Sequence, residues 1–118
     1  MAIDIPGIDE NIFNDLFDGD VGLFLSVLHT FVDKTPDALN KLRNVSKETL
    51  PDYAIRVHGM KGACANICAE KGRKAALELE MMAKTGDLPG VLAHNDAFLE
   101  YMENLLADLK NWLKNHQQ

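Results

Sequence analysis

His58 and Lys61 stand three residues apart, and Gly62 follows the lysine directly. A neutral imidazole is a competent nucleophile near neutral pH, and an ammonium group one helical turn away can pair with a phosphoryl group placed on it. Projecting residues 50 to 69 at about 100° per residue puts Tyr53, Val57, Met60, Cys64 and Ile67 on one side, an ordinary core stripe. On the opposite side Ala54, His58, Gly62, Ala65 and Ala69 form a lane with Lys61 at its edge, so one imidazole stands among side chains no larger than methyl. A solvated helix face is normally filled with Glu, Lys, Gln or Arg. Glycine in mid-helix costs roughly 1 kcal/mol relative to alanine, and Gly62 lies one turn beyond His58, where a longer side chain would cover the ring.

Two explanations of this lane stand side by side. Small residues permit close approach of another helix of the same bundle, with His58 satisfied at that contact. Alternatively, the lane is open and serves an anionic group. Local charge favours the second: between Tyr53 and Leu77 the basic residues are Arg56, Lys61, Lys71, Arg73 and Lys74, the only acid is Glu70, and the chain as a whole carries a net charge of −6. A basic stretch in an acidic chain suggests a local site for anions.

Other residues capable of chemistry have plainer readings. Cys64 and Cys68 are four apart, but no second ligand pair accompanies them, and they are expected to be small core hydrophobes. His29, His94 and His116 lack the spacing of a ligand set or a nucleophile-base pair. Met60, Met81, Met82 and Met102 are expected to fill the core. Arg56 projects near the core stripe and is expected to reach solvent along a groove or to pair with an acid on a neighbouring helix. With no Gly-rich phosphate cradle or nucleotide-binding motif, a self-sufficient kinase is not expected, and the chain should not autophosphorylate from ATP.

The elements that must position His58 are helices. Leu (16) and Ala (12) dominate, and the alternation of a half-buried strand is sustained nowhere. Asp9 can cap a short helix with Ile12, Phe13, Leu16 and Phe17 on one face, closed by Gly19. Asp20 opens a second helix with Leu23, Phe24, Val27, Leu28, Phe31 and Val32 facing inward. Thr35-Pro36-Asp37 reads as a new N-terminus, with Thr35 as cap, Pro36 in the first turn, and Ala38, Leu39, Leu42 and Val45 continuing inward. Thr49 and Asp52 form an approximate capping box for a helix over residues 50 to 68. A further helix runs from Glu70 to Lys84, with Ala75, Ala76, Leu79, Met82 and Ala83 inward and Gly86 as its stop. After Pro89-Gly90, Leu92, Leu99, Met102, Leu106, Leu109 and Leu113 form the seam of a long last helix. The expected fold is all-α: an antiparallel, up-down-up-down four-helix bundle with one or two additional short N-terminal helices, as a single domain over residues 1 to 118. The charge disfavours nucleic acid, no apolar run suits a bilayer, and residues Met1 to Gly7 carry no secretory signal, so a cytoplasmic location is expected.

His58-Gly59-Met60-Lys61-Gly62-Ala63-Cys64-Ala65-Asn66-Ile67 closely resembles the H-x-x-K-G signature of histidine phosphotransfer (HPt) domains. Ile5-Pro6-Gly7-Ile8-Asp9, the Phe-rich helix after it, Thr35-Pro36-Asp37 and Leu79-Glu80 are similar to that family in order and spacing, so the resemblance covers most of the chain. It implies a two-component phosphorelay carrier in which His58 accepts a phosphoryl group from a receiver-domain aspartate and passes it to another receiver. Lys61 would steady the group, Gly62 would admit the receiver, and Ala54, Ala65, Asn66 and Ala69 would take part in docking. The implied partners are response-regulator receiver domains and a hybrid sensor histidine kinase, with the chain a monomer. It implies no metal or cofactor of the chain's own, Mg²⁺ being carried by the receiver. A non-phosphorylatable adaptor that docks a partner through the Ala54/His58/Gly62/Ala65 face is the alternative, and the intact His58-Lys61 pair speaks against it. Family members usually carry Gly where this chain has Cys68, at the turn closing the phosphoacceptor helix. The expectation is that the helix end shifts toward Gly72, because Cys in a left-handed conformation costs on the order of 1 kcal/mol.

Overall fold

The computed structural model describes residues 5–116, and within them the chain forms five helices: α1 (Glu10–Phe17), α2 (Val21–Asn40), α3 (Leu50–Asn66), α4 (Glu70–Lys84) and α5 (Leu88–Asn115). No strand occurs among the described residues. Helices α2 to α5 make the four-helix bundle, and α1 packs beside α2. Connections of a few residues between α3 and α4 and between α4 and α5 force each helix to reverse on its predecessor. Cross-helix contacts agree with that direction: as α3 advances from His58 to Cys64, its partners on α4 retreat from Glu80 to Gly72.

Caps and core stripes follow the sequence closely in some places. Asp9 accepts from Ile12 N at 3.1 Å and Asp20 from Leu23 N at 3.0 Å, each satisfying a free amide of a first turn. Phe13, Phe17 and Phe24 form an aromatic cluster, with centroids of the Phe13–Phe24 and Phe17–Phe24 pairs 5.0 Å apart and edge to face. The buried apolar side chains form one core, which includes Leu28, Phe31, Leu39, Val57, Met60, Leu79, Met102 and Leu109. One polar path crosses it. The Tyr53 hydroxyl donates to Asn95 Oδ1 at 2.7 Å, and Asn95 Nδ2 donates to the Leu42 carbonyl at 2.8 Å, tying the turn after α2 and the start of α3 to α5.

Five expectations are corrected. Thr35-Pro36-Asp37 opens no new helix: α2 runs through it to Asn40, with Pro36 inside. The buried stripe Phe24, Leu28, Phe31, Thr35, Leu39 keeps helical register across the proline, so breaking there would expose Leu39. An internal proline costs about 3 kcal/mol, which that continuous burial offsets. Thr49 makes no capping bond; its Oγ1 instead accepts from Ser46 N at 2.8 Å, within the preceding turn, and Asp52 pairs with Arg56. Leu16, Leu23 and Leu92, placed inward by spacing, are exposed: α1, α2 and α5 bury narrower stripes at these positions than their sequences offer. The last helix begins at Leu88, ahead of Pro89-Gly90, with Asp87 capping Gly90 N at 2.9 Å.

The end of α3 is the fifth. The helix stops at Asn66, and Cys68 itself takes the left-handed conformation at φ 62°. Ala69 N donates to the Cys64 carbonyl at 2.9 Å and Cys68 N to the Ala65 carbonyl at 3.1 Å, the paired bonds that close a helix through a left-handed residue. Gly72 does not substitute for it. It lies within α4, where an added Cβ would stand 2.9 Å from Cys64 Sγ, and it serves the close approach of α4 to α3. The cost of Cys68 is offset by complete burial of its side chain and by Asp9 N donating to its carbonyl at 2.8 Å.

Candidate functional site

The α3 helix buries Tyr53, Val57, Met60, Cys64 and Ile67 against the bundle, so His58, two to three residues round from that stripe, points outward. Its side chain is 61% exposed. Nothing lies within 4 Å of a Cβ placed at Gly59 or Gly62, so neither glycine is explained by a neighbouring helix of the bundle. The backbone beside the imidazole is bare and faces solvent. Of the other lane residues, Ala65 is half-buried, whereas Ala54 and Ala69 are buried and Ala69 opens α4. The exposed lane therefore centres on His58 and Gly62 and does not reach its two outer alanines. Asn66 lines a groove of about 750 Å³ between α2 and α3, whose walls include Phe31, Ala38, Gly59 and Ala63.

The residue that organises this site is Glu80. It lies on the inward face of α4 with Ala76, Leu79 and Ala83, and is only 2% exposed. A buried carboxylate needs partners, and this one has three. His58 Nδ1 is 2.6 Å from Oε2, Lys61 Nζ donates to Oε1 at 2.7 Å, and Lys84 Nζ lies 2.9 Å from Oε2. The Lys61 hydrogen bond, joined by those from Lys84 and His58, outweighs burial and holds the Glu80 carboxyl down at about 2. An ionised carboxylate only accepts, so Nδ1 carries the hydrogen of the neutral ring. The Nε2 lone pair is then free and directed away from Glu80. This arrangement can present a fixed nucleophilic nitrogen to an incoming electrophile and stabilise positive charge developing on the ring.

The spacing of α4 held a signal for Glu80: an acid three and four residues from Ala83 and Ala76, on a stripe otherwise apolar. Ile55 and Met81 are also exposed, one turn before His58 on α3 and next to Glu80 on α4, so Met81 is a surface side chain and not core filler. Met60 and Met102 are buried and Met82 half-buried. Arg56 pairs with Asp52 of its own helix at 2.6 Å, and Arg73 with Glu70. Lys71 lies over the Tyr101 ring, 5.3 Å from its centroid. Lys71 precedes Glu80 by nine residues, about 13 Å along α4. The basic stretch thus divides, and the cations at His58 are Lys61 and Lys84. Burial pushes the Cys64 thiol up to about 12 and, with Asp9, the Cys68 thiol to about 11, so both remain protonated at neutral pH. Among the described residues no cluster of His, Cys, Asp and Glu is arranged to hold a metal ion. No helix among them is long and apolar enough to cross a membrane.

A model of the Hpt domain family matches residues 26–112, spanning most of α2 and α5 and all of α3 and α4. The chain belongs to this family, whose members carry out histidine phosphotransfer in two-component signalling and interact with receiver domains. No curated protein and no solved structure matches the chain.

Proposed function

We propose that the chain is a phosphorelay intermediate whose phosphoacceptor is His58. The observation that carries this reading is the Glu80–His58 hydrogen bond on an otherwise open imidazole. It fixes the tautomer that a nucleophilic Nε2 requires. In the forward step the Nε2 lone pair attacks the phosphorus of a receiver's aspartyl phosphate. The N–P bond forms as the P–O bond to the aspartate breaks, and the carboxylate leaves with that electron pair. Positive charge appears on the ring while Nδ1 keeps its hydrogen, and the Glu80 carboxylate 2.6 Å away stabilises it. Return to a second receiver reverses each change. Lys61 keeps Glu80 ionised and adds positive charge beside the phosphoryl group.

The bare backbone at Gly59 and Gly62 supports docking of a partner over His58, with Ile55, Met81 and the groove containing Asn66 as flanking contacts. The chain acts as a carrier and not as an autokinase, and a cytoplasmic monomer served by a hybrid sensor kinase fits this role. An adaptor would have no use for an imidazole oriented by a buried carboxylate, which disfavours that alternative.

Incubation with a receiver domain carrying labelled aspartyl phosphate tests the proposal. Label is expected to move to the wild-type chain and not to His58→Gln, whose circular dichroism should match wild type. Equal labelling of His58→Gln would overturn the assignment.

A further inference from the structure

Glu80 is bound by more cations than its charge requires. Oε1 takes Lys61, while Oε2 is shared by His58 Nδ1 at 2.6 Å and Lys84 Nζ at 2.9 Å. Two ammonium groups face one carboxylate, and among the described residues neither lysine has a second acidic partner. One unit of positive charge is therefore left over beside the imidazole.

The two lysines are not equivalent. Lys61 is 24% exposed and has Oε1 to itself, whereas Lys84 is 62% exposed and reaches Glu80 as an i,i+4 pair along α4. Exposed pairs of that kind are among the weakest ionic contacts, because solvent screens them and a long side chain must be ordered to make them. Removing Lys84 from Glu80 would leave the carboxylate two partners, Lys61 and His58. Lys84 Nζ binds the same oxygen as Nδ1, so the ring's other nitrogen is about one ring-width further away, within the reach of a flexible four-carbon stem.

We propose that Lys84 is a phosphoryl-binding residue: when His58 carries a phosphoryl group on Nε2, Lys84 leaves Glu80 and pairs with the phosphoryl oxygens, while Lys61 continues to neutralise the carboxylate. This rests on His58 being the acceptor. A phosphoryl group brings close to two negative charges, and one spare cation already at the ring is the group that can move to them at least cost. No covalent bond changes in this step; one ion pair is exchanged for a stronger one.

The test uses phosphoramidate, a small donor that needs no receiver, on the full chain as wild type, Lys84→Ala and Lys84→Arg. The wild type is read first: failure of His58 to take up phosphorus from either phosphoramidate or a phosphorylated receiver would sink the acceptor assignment and this inference with it. With the wild type loaded, Lys84→Ala is expected to shorten the phosphohistidine half-life at least threefold and to move the titration of its ³¹P resonance to higher pH. Lys84→Arg should restore both, and all three chains should share one urea-unfolding midpoint. An unchanged half-life and ³¹P titration in Lys84→Ala would overturn the role of Lys84 while leaving His58 as the acceptor. Failure of Lys84→Arg to restore them would also count against it.

Discussion

His58 is held by one nitrogen and left open at the other, and each half of that condition has a separate cause. Gly62 supplies the opening, and its cost to the helix was readable because a glycine one turn from a histidine has no local justification. Glu80 supplies the restraint, and it was not assigned a role from sequence. An acid at an inward position of α4 is visible by periodicity, but its partners lie on another helix, and no spacing within α4 reveals which side chains of α3 will face it. Replacing Glu80 with Gln keeps the shape and removes the charge. Loss of a hydrogen bond to a charged group is worth about 1.5–3 kcal/mol, so transfer should slow by roughly ten- to a hundredfold in stopped-flow or quenched assays. The same carboxylate sets an acid limit on stability. It titrates near 2 in the folded chain against an ordinary value of 4.5, so the stability it contributes is complete above about 4.5 and is lost as pH falls toward 2. Urea-unfolding midpoints measured across that window should fall more steeply for wild type than for Glu80→Gln; parallel curves would contradict the pairing.

Among the helices, caps made by a single residue were legible and those requiring a choice between competitors were not. Asp9 and Asp20 cap as their positions indicate. Thr49 had an alternative partner in the turn before it, and Pro36 sat in a stripe whose burial continued on both sides. Cys68 shows the same competition at a helix end: a glycine four residues later looked like the natural stop, but Gly72 is needed where α4 crosses Cys64. Two alanine substitutions separate the two uses of glycine. Gly62→Ala meets open space and should stabilise the chain by about 0.5–1 kcal/mol through helix propensity alone. Gly72→Ala drives a Cβ to 2.9 Å from Cys64 Sγ and should destabilise by about 1–3 kcal/mol, read as opposite shifts in urea midpoint.

The whole molecule is an elongated bundle of 46 × 25 × 18 Å that presents His58 midway along one helix, not in a cleft. The all-helical class and the core stripe of α3 were accessible from composition and periodicity, because burial in a bundle repeats every three or four residues. The distribution of charge was not. A basic stretch along the chain is divided in space when its members fall on different faces, and Arg56 and Arg73 are neutralised by acids a turn away. A convex site of this kind must borrow the rest of its pocket from a partner, so access should matter to a protein donor far more than to a small one. Gly62→Gln is expected to abolish transfer from a phosphorylated receiver while phosphoramidate still labels His58; equal loss with both donors would place the effect in the chemistry and not in docking.

The attachment atom is the most direct test of the site. With the chain ¹⁵N-labelled and loaded from a phosphorylated receiver, ¹⁵N–³¹P coupling should appear at Nε2 of His58, with Nδ1 retaining its hydrogen. Coupling at Nδ1 of His58, or at His29, His94 or His116, would contradict the role assigned to Glu80 and the open face at Gly62.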